Sequence, residues 1–316
     1  MKFYNVFSGF LTGATREAYM KNIGDKVFNS LHSYWYLQDC DDEKILQGFQ
    51  ITKGNIMIDS GAFTAWTKDI TLDVDKYLNW IDKWDEYITL FGQIDVIPDK
   101  NNNNLEYIND CCQRTWQNYL YMTERMKSPK KLLYTFHFGE PFKWLKQALE
   151  YRDKDGKPIE YMALGGLVGR STPDRIKFLT ECFNIIANSS NPNIKVHGFG
   201  VSSANLWKSF PFESCDSFTP GMNANHGFSY DKYGAYRADD YQKIFKPRGY
   251  DKESQAELDR IEASKSEEVL LQEALQRTNE KAKLLINNIE HWTNLGLSIP
   301  KKVWKKTYNV WGEVDN

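Results

Sequence analysis

The sequence contains no run of about 18 consecutive apolar residues, the length a membrane-spanning helix requires. Its opening MKFYNVFSGF also lacks the long apolar segment and small-residue cleavage site of a secretory signal. A cytoplasmic protein with no membrane partner is therefore expected. Cysteine is sparse: Cys40, Cys111, Cys112, Cys182 and Cys215 form no CxxC pair and no zinc-like cluster, so reduced thiols are expected and no metal site. Cys215, beside Asp216, reads as a small apolar wall residue rather than a nucleophile. The glycine spacing of a dinucleotide fingerprint is missing, as is any close histidine pair. Neither sign of charge dominates: 40 basic residues face 42 acidic ones, for a formal net charge of −2. That balance excludes a uniformly basic nucleic-acid binder but leaves room for a local basic groove. No internal repeat or low-complexity tract stands out.

What the chain does have is aromatic residues, with 10 Trp, 18 Tyr and 18 Phe among 316 residues. Most are read as core material and a minority as stacking surfaces. Short apolar runs near 3–8, 56–62, 91–97, 132–138, 161–165, 194–200 and 214–218 read as strands. Helical spacing marks 16–35, 73–89, 104–126, 141–151, 172–188 and 203–209 between them. Strand–helix alternation over about 250 residues fits an α/β fold, an irregular (β/α)8 barrel of the TIM type, better than an open sheet. An eighth strand is not legible. We expect the barrel within 1–250 and a helical C-terminal extension within 251–316. From Lys252 to Asn294, Leu258, Ile261, Val269, Leu270 and Leu275 recur at helical spacing, which fits a long helix or hairpin able to mediate a homodimer. Beyond it, Lys301, Lys302, Lys305 and Lys306 interleave with aromatics. They are either a weak nucleic-acid contact or a solvated lysine face anchored by Trp304.

Four polar residues end strand-like runs: Asp59 in IDSGAF, Asp95 in IDVIP, His137 in TFHFG and Asp216 in CDSFTP. Such ends converge on one face of a parallel barrel, where its enzymes assemble their sites. Two carboxylates about 5 Å apart, one nucleophile and one acid/base, carry out displacement at a sugar anomeric carbon with retention. Other uses remain open. Asp59 could cap the next helix. His137 with the three aspartates could hold a divalent ion. The glycine-rich loop ALGGLVG, followed by Arg170, could grip phosphate at a helix N-terminus or present backbone groups to a planar base.

Taken together and in this order, the motifs resemble those of the tRNA-guanine transglycosylase superfamily, barrel enzymes that exchange guanine for a 7-deazaguanine base in a nucleic acid. IDSGAF (58–63) is similar to the family's Asp-Ser-Gly-Gly-aromatic motif, which implies acid/base duty for Asp59 and base stacking for Phe63. IDVIP (94–98) is similar to its Phe-Asp-x-x-x-Pro segment, implying that Asp95 binds the base. ALGGLVG (163–169) resembles its Gly-Gly-Leu loop, with Gly165, Gly166 and Leu167 offering contacts to the base. CDSFTP (215–220) is similar to the nucleophile segment, implying that Asp216 attacks. There are departures: His137 stands where the family reads the base with Gln, and His197 near a base-flanking Met. The family's Cys-x-Cys-x-x-Cys…His zinc pattern is missing, which makes the chain resemble the DNA-acting branch, the 7-deazaguanine DNA transglycosylases of phages and bacteria. The resemblance implies DNA as partner, with tRNA as the alternative, and a free base such as 7-cyano-7-deazaguanine. It implies no cofactor, and host cytoplasm if the protein is phage-encoded. A phosphate-binding or metal-dependent barrel enzyme, or a non-catalytic nucleobase binder, are the readings from other classes.

Overall fold

Parallel strands joined by helices bury both faces, one against the helical layer and the other inside the barrel once the sheet closes. A computed structural model describes residues 1–7, 13–99, 101–231, 234–237 and 266–304. Eight parallel strands form a closed barrel in chain order: β1 (Lys2–Phe7), β2 (Asn29–Ser33), β3 (Ile56–Asp59), β4 (Leu90–Gly92), β5 (Leu132–His137), β6 (Tyr161–Gly165), β7 (Lys195–Gly198) and β8 (Ser214–Ser217). The last strand closes on the first, with Tyr4 opposite Asp216. The barrel fold expected from the sequence is what the structure shows.

Period-two alternation decides which residues fill the barrel. Tyr4, Leu31, Met57, Leu90, Leu133 and Ala163 form its internal cluster, with Val6, Tyr161 and Phe199 packed against it. The alternate residues face the helical layer, where Tyr134 meets Trp116 edge-on at 5.3 Å and Phe136 stacks on Phe178 at 5.8 Å. The helices are α1 (Gly13–Ile23), α2 (Tyr34–Leu37), α3 (Asp42–Ile51), α4 (Ala62–Thr67), α5 (Val74–Lys83), α6 (Leu105–Arg125), α7 (Phe142–Glu150), α8 (Thr172–Ala187), α9 (Ala204–Ser209), α10 (Thr219–Asn225) and α11 (Glu267–Ser298). Local chemistry sets their starts: Asp73 accepts from the Lys76 N–H at 3.0 Å to open α5, and Asn104 from the Glu106 N–H at 2.8 Å to open α6. The buried face of α6 (Cys111, Cys112, Thr115, Trp116, Tyr119, Met122) follows helical spacing.

The eighth strand, missed in the sequence, is β2, and it lies inside the segment expected to be one helix over 16–35. Helix α1 stops at Ile23, where Gly24 takes the left-handed φ of +56° that ends helices. Strand β2 then reads Asn-Ser-Leu-His-Ser, with little apolar alternation to betray it. Its outer face is polar and buried, which works because its groups bond one another. Ser30 Oγ meets Thr52 Oγ1 at 3.0 Å and His32 Nε2 meets Ser30 Oγ at 2.9 Å. Burial pushes the His32 pKa down to about 3, so the ring is neutral where it stacks on Phe7 at 5.5 Å.

Contacts divide the chain into two units. One comprises the described parts of 1–10, 27–218 and 293–316 and contains the whole barrel; the other comprises those of 11–26 and 219–292. In the second unit, α10 is followed by an antiparallel hairpin, β9 (Phe228–Asp231) with β10 (Gly234–Arg237). Asn288 of α11 donates to Phe228 O at 2.9 Å and Pro220 O at 3.2 Å, and His291 stacks on Tyr230 at 5.1 Å. The expected helical extension is observed from Glu267; its residues 252–265 lie outside the described residues. No helix among the described residues is long and apolar enough to cross a membrane.

The lysine-rich tail belongs to the barrel unit and is anchored by an aromatic side chain. Trp304 stacks on Phe210 at 5.5 Å, lies 5.8 Å from Phe183 and donates its indole N–H to Asn184 at 2.8 Å. Upstream, Gly296 passes so close to Phe3 that an added Cβ would sit 3.1 Å from the Phe3 Cβ. These neighbours lie at the N-terminal ends of β1 and β8, so Lys301 and Lys302 are exposed on the side of the barrel away from the strand C-termini. Lys305 and Lys306 lie outside the described residues. Replacing Trp304 by Ala should lower stability by about 2 kcal/mol from lost aromatic packing. Urea denaturation should read this as a lower midpoint with an unchanged slope.

Candidate active site

Because the strands are parallel and in register, Asp59, His137, Gly165 and Asp216 arrive at one end of the barrel, joined by Asp95 just beyond β4. This is the C-terminal mouth. Asp59 ends β3 and its Oδ2 accepts the Gly61 N–H at 3.0 Å. Gly61 has φ +77°, and an added Cβ would fall 2.5 Å from the Trp35 Cβ and 2.8 Å from the Ser33 Oγ. The glycine of the Asp-Ser-Gly motif is thus required by the turn that presents Asp59. Burial, then the nearby carboxylates of Asp95 and Asp216, push the Asp59 pKa up to about 6 against the opposing bonds from Gly61 and Ser33. The shift also shows that the three aspartates share one electrostatic environment.

Asp216 is only 5 % exposed. Its Oδ1 accepts the Gly200 N–H at 2.9 Å and lies 3.0 Å from His197 Nε2. The other ring nitrogen, Nδ1, lies 2.6 Å from Ser214 Oγ, which in turn meets the Tyr161 hydroxyl at 2.6 Å. A buried polar chain therefore climbs the barrel interior from β6 through β8 and β7 to the mouth. His197, expected to flank a base, is wholly buried beside Ser214, two residues before Asp216 on the neighbouring strand. Cys215 is buried, and burial reinforced by Asp216 holds its thiol well above the ordinary value, in keeping with a wall residue.

Asp95 has partners on both oxygens: Gln93 Nε2 donates to Oδ1 at 2.8 Å, and His137 Nε2 lies 3.4 Å from Oδ2. On its other side His137 Nδ1 meets Glu140 Oε1 at 3.1 Å. Burial alone would push this imidazole down, but the carboxylates of Asp95 and Glu140 more than reverse that and raise its pKa well above the ordinary value. His137 is therefore a cation wedged between two carboxylates, a different chemical object from the neutral amide implied by the resemblance. Gly165 makes room for it: a Cβ there would lie 2.7 Å from the ring Cδ2 and 3.0 Å from Nε2.

The rim of the mouth holds the remaining candidates. Phe63, on α4, is 66 % exposed, with its ring 5.7 Å from that of Trp66. Gly166 turns the chain at φ +70°, Leu167 is buried with its carbonyl accepting the Arg170 N–H at 3.3 Å, and Val168 is 77 % exposed. Arg170 lies over the Phe138 ring at 4.6 Å. The helix that follows is already capped: Ser171 Oγ accepts the Asp174 N–H at 3.2 Å and donates to its carboxylate at 2.6 Å. A carboxylate in the first turn of α8 competes with any anion there, which weakens the phosphate-gripping reading. Among the described residues no group of His, Cys, Asp and Glu is arranged to hold a metal ion.

Several site residues escaped sequence reasoning: Ser33, Gln93, Glu140, Tyr161, Gly200 and Ser214. Glu140 carried a usable signal, three residues after His137 across the Phe-Gly turn that closes the loop. Tyr161 and Ser214 carried none, since their importance depends on which strands are neighbours. No family model matches the sequence, and neither does any curated protein.

The His137 cation makes a pH-dependent contribution to stability. A raised imidazole value means that the contribution is fully present below the ordinary histidine pKa and is lost as pH rises through the folded value. The melting temperature of the native protein should exceed that of His137→Gln at neutral pH and below. The gap should narrow as pH is raised through the alkaline range, which differential scanning calorimetry will read.

Proposed function

We propose that the protein is a base-exchange glycosyltransferase that replaces guanine in DNA with a 7-deazaguanine derivative through a covalent aspartyl–glycosyl intermediate. The observation that carries this reading is the pairing of two unlike carboxylates at one barrel mouth. Asp216 is buried and held by hydrogen bonds on one oxygen, while Asp59 has a pKa near 6 suited to giving and taking a proton. The motif order resembling the transglycosylase superfamily supports the same chemistry.

The target nucleotide is flipped from its strand, because C1′ is out of reach within a duplex. A carboxylate oxygen of Asp216 attacks C1′ and the bond to guanine breaks. The departing electron pair is quenched by the proton of Asp59, and free guanine leaves. The neutral deoxyribosyl–Asp216 ester remains; the oxocarbenium character of the transition state leading to it is offset by the neighbouring carboxylates. A free 7-deazaguanine enters beside Phe63, with Asp95, the His137 cation and the Gly166–Leu167 backbone as the polar groups around its edge. Asp59, now ionised, takes the ring N–H proton; the nitrogen attacks C1′ and Asp216 departs. One residue thus serves as acid and then as base, which a pKa near the working pH favours.

Intact-mass analysis of denatured protein after incubation with guanine-containing DNA or tRNA tests this. An adduct is expected with DNA and should be absent from Asp216→Ala; an adduct with tRNA alone would move the substrate to RNA, and none with either would overturn the reading. Adduct formation should slow as pH rises through about 6, because it needs Asp59 protonated, whereas return of the sugar to a free base should speed up.

A further inference from the structure

Behind Asp216 lie three polar groups that take no direct part in base exchange: the buried His197 and Ser214 and the half-buried Tyr161. Their hydrogen atoms can be assigned by counting donors. The Tyr161 phenol is pushed well above its ordinary value by burial, so it keeps its proton and has one to give. Its recorded partner is Ser214 Oγ at 2.6 Å. If Tyr161 donates to Ser214, the single Ser214 proton is free to go to His197 Nδ1, also at 2.6 Å. Nδ1 then accepts, and the ring proton resides on Nε2, 3.0 Å from Asp216 Oδ1. Reversing the chain would turn a bare Nε2 lone pair toward a carboxylate oxygen, which is repulsive. The packing holds the ring in place: Phe199 meets it edge-on at 4.6 Å and Tyr4 at 5.9 Å. The Gly200 N–H lands on the same Oδ1 at 2.9 Å, so neither bond engages Oδ2.

We propose that His197, locked by Ser214 and Tyr161 with its proton on Nε2, is a positioning residue that ties down Oδ1 of Asp216 and leaves Oδ2 as the attacking atom. This rests on the reading of Asp216 as the group that attacks C1′. In the second half of the exchange the same Nε2–H receives the carboxylate as it departs. The position is one where the resemblance called for Met, so the device belongs to this chain's own side chains.

Two readouts test it, and the first needs no reaction. In protein labelled with ¹⁵N at histidine, long-range ring correlations should show His197, identified by its loss in His197→Gln, with a protonated Nε2 and an unprotonated, hydrogen-bonded Nδ1. Ser214→Ala should abolish that Nδ1 signature. A ring protonated on Nδ1, or on both nitrogens at neutral pH, overturns the proposal whatever the protein catalyses. The second readout is the single-turnover rate of adduct formation on a guanine-containing DNA oligonucleotide. His197→Leu, which fills the site without a donor, should slow it about 100-fold, the scale of a misaligned attacking group. His197→Gln, whose amide reaches the Nε2 position, should stay within about tenfold of native, and oligonucleotide affinity within about twofold for both. Equal losses in Leu and Gln variants would mean a merely structural role and sink the proposal. If native protein forms no adduct on any nucleic acid, the base-exchange reading fails, and the tautomer measurement alone then decides whether His197 is locked as described.

Discussion

Closure of the barrel through the β8–β1 ladder, which sets Asp216 opposite Tyr4, is the constraint on which the rest of the site depends. It brings the last strand, carrying one carboxylate, within electrostatic reach of β3 and β4, which carry or precede the other two. The same closure seals a column of inward side chains. Part of that column is apolar, with Tyr4, Leu31, Met57 and Ala163; on β7 and β8 it is polar, with His197, Ser214 and Asp216. A polar chain in such a place is tolerated only where its members satisfy one another, and Tyr161, Ser214, His197 and Asp216 do so in sequence.

Three carboxylates at one mouth repel, and the structure distributes the cost unequally. Asp95 faces the His137 cation and a Gln93 amide; Asp216 faces His197 and a backbone N–H. Asp59 is held by the Gly61 N–H and Ser33 and experiences the other two as like charges. Burial does most to raise its pKa, and the two like charges add to it. The group best suited to move a proton is the one whose environment stabilises its charge least.

The glycines of the motifs show how local sequence serves this arrangement. Gly61 permits the left-handed turn under Asp59 and clears Trp35, while Gly165 clears the ring of His137. In each case the residue that looks like a ligand-binding loop signature is explained first by its neighbour within the protein.

Strand-ending aspartates and the strand–helix alternation were legible in the sequence, because they rest on local periodicity. Strand β2 was not: Ser30 bonds Thr52 and His32 bonds Ser30, so polar residues fill its outer face and no apolar alternation marks the strand. The partners of the site residues were equally hidden. The raised pKa of His137 follows from Asp95 and Glu140 on either side of it, and the contact of His197 with Asp216 follows from β7 lying beside β8. Alone, the sequence determined which residues end strands and turn the chain, since those choices are made within a few residues. Only the tertiary structure decided which strands are neighbours, and with that the burial, charge and hydrogen-bond partners on which the chemistry of each side chain depends.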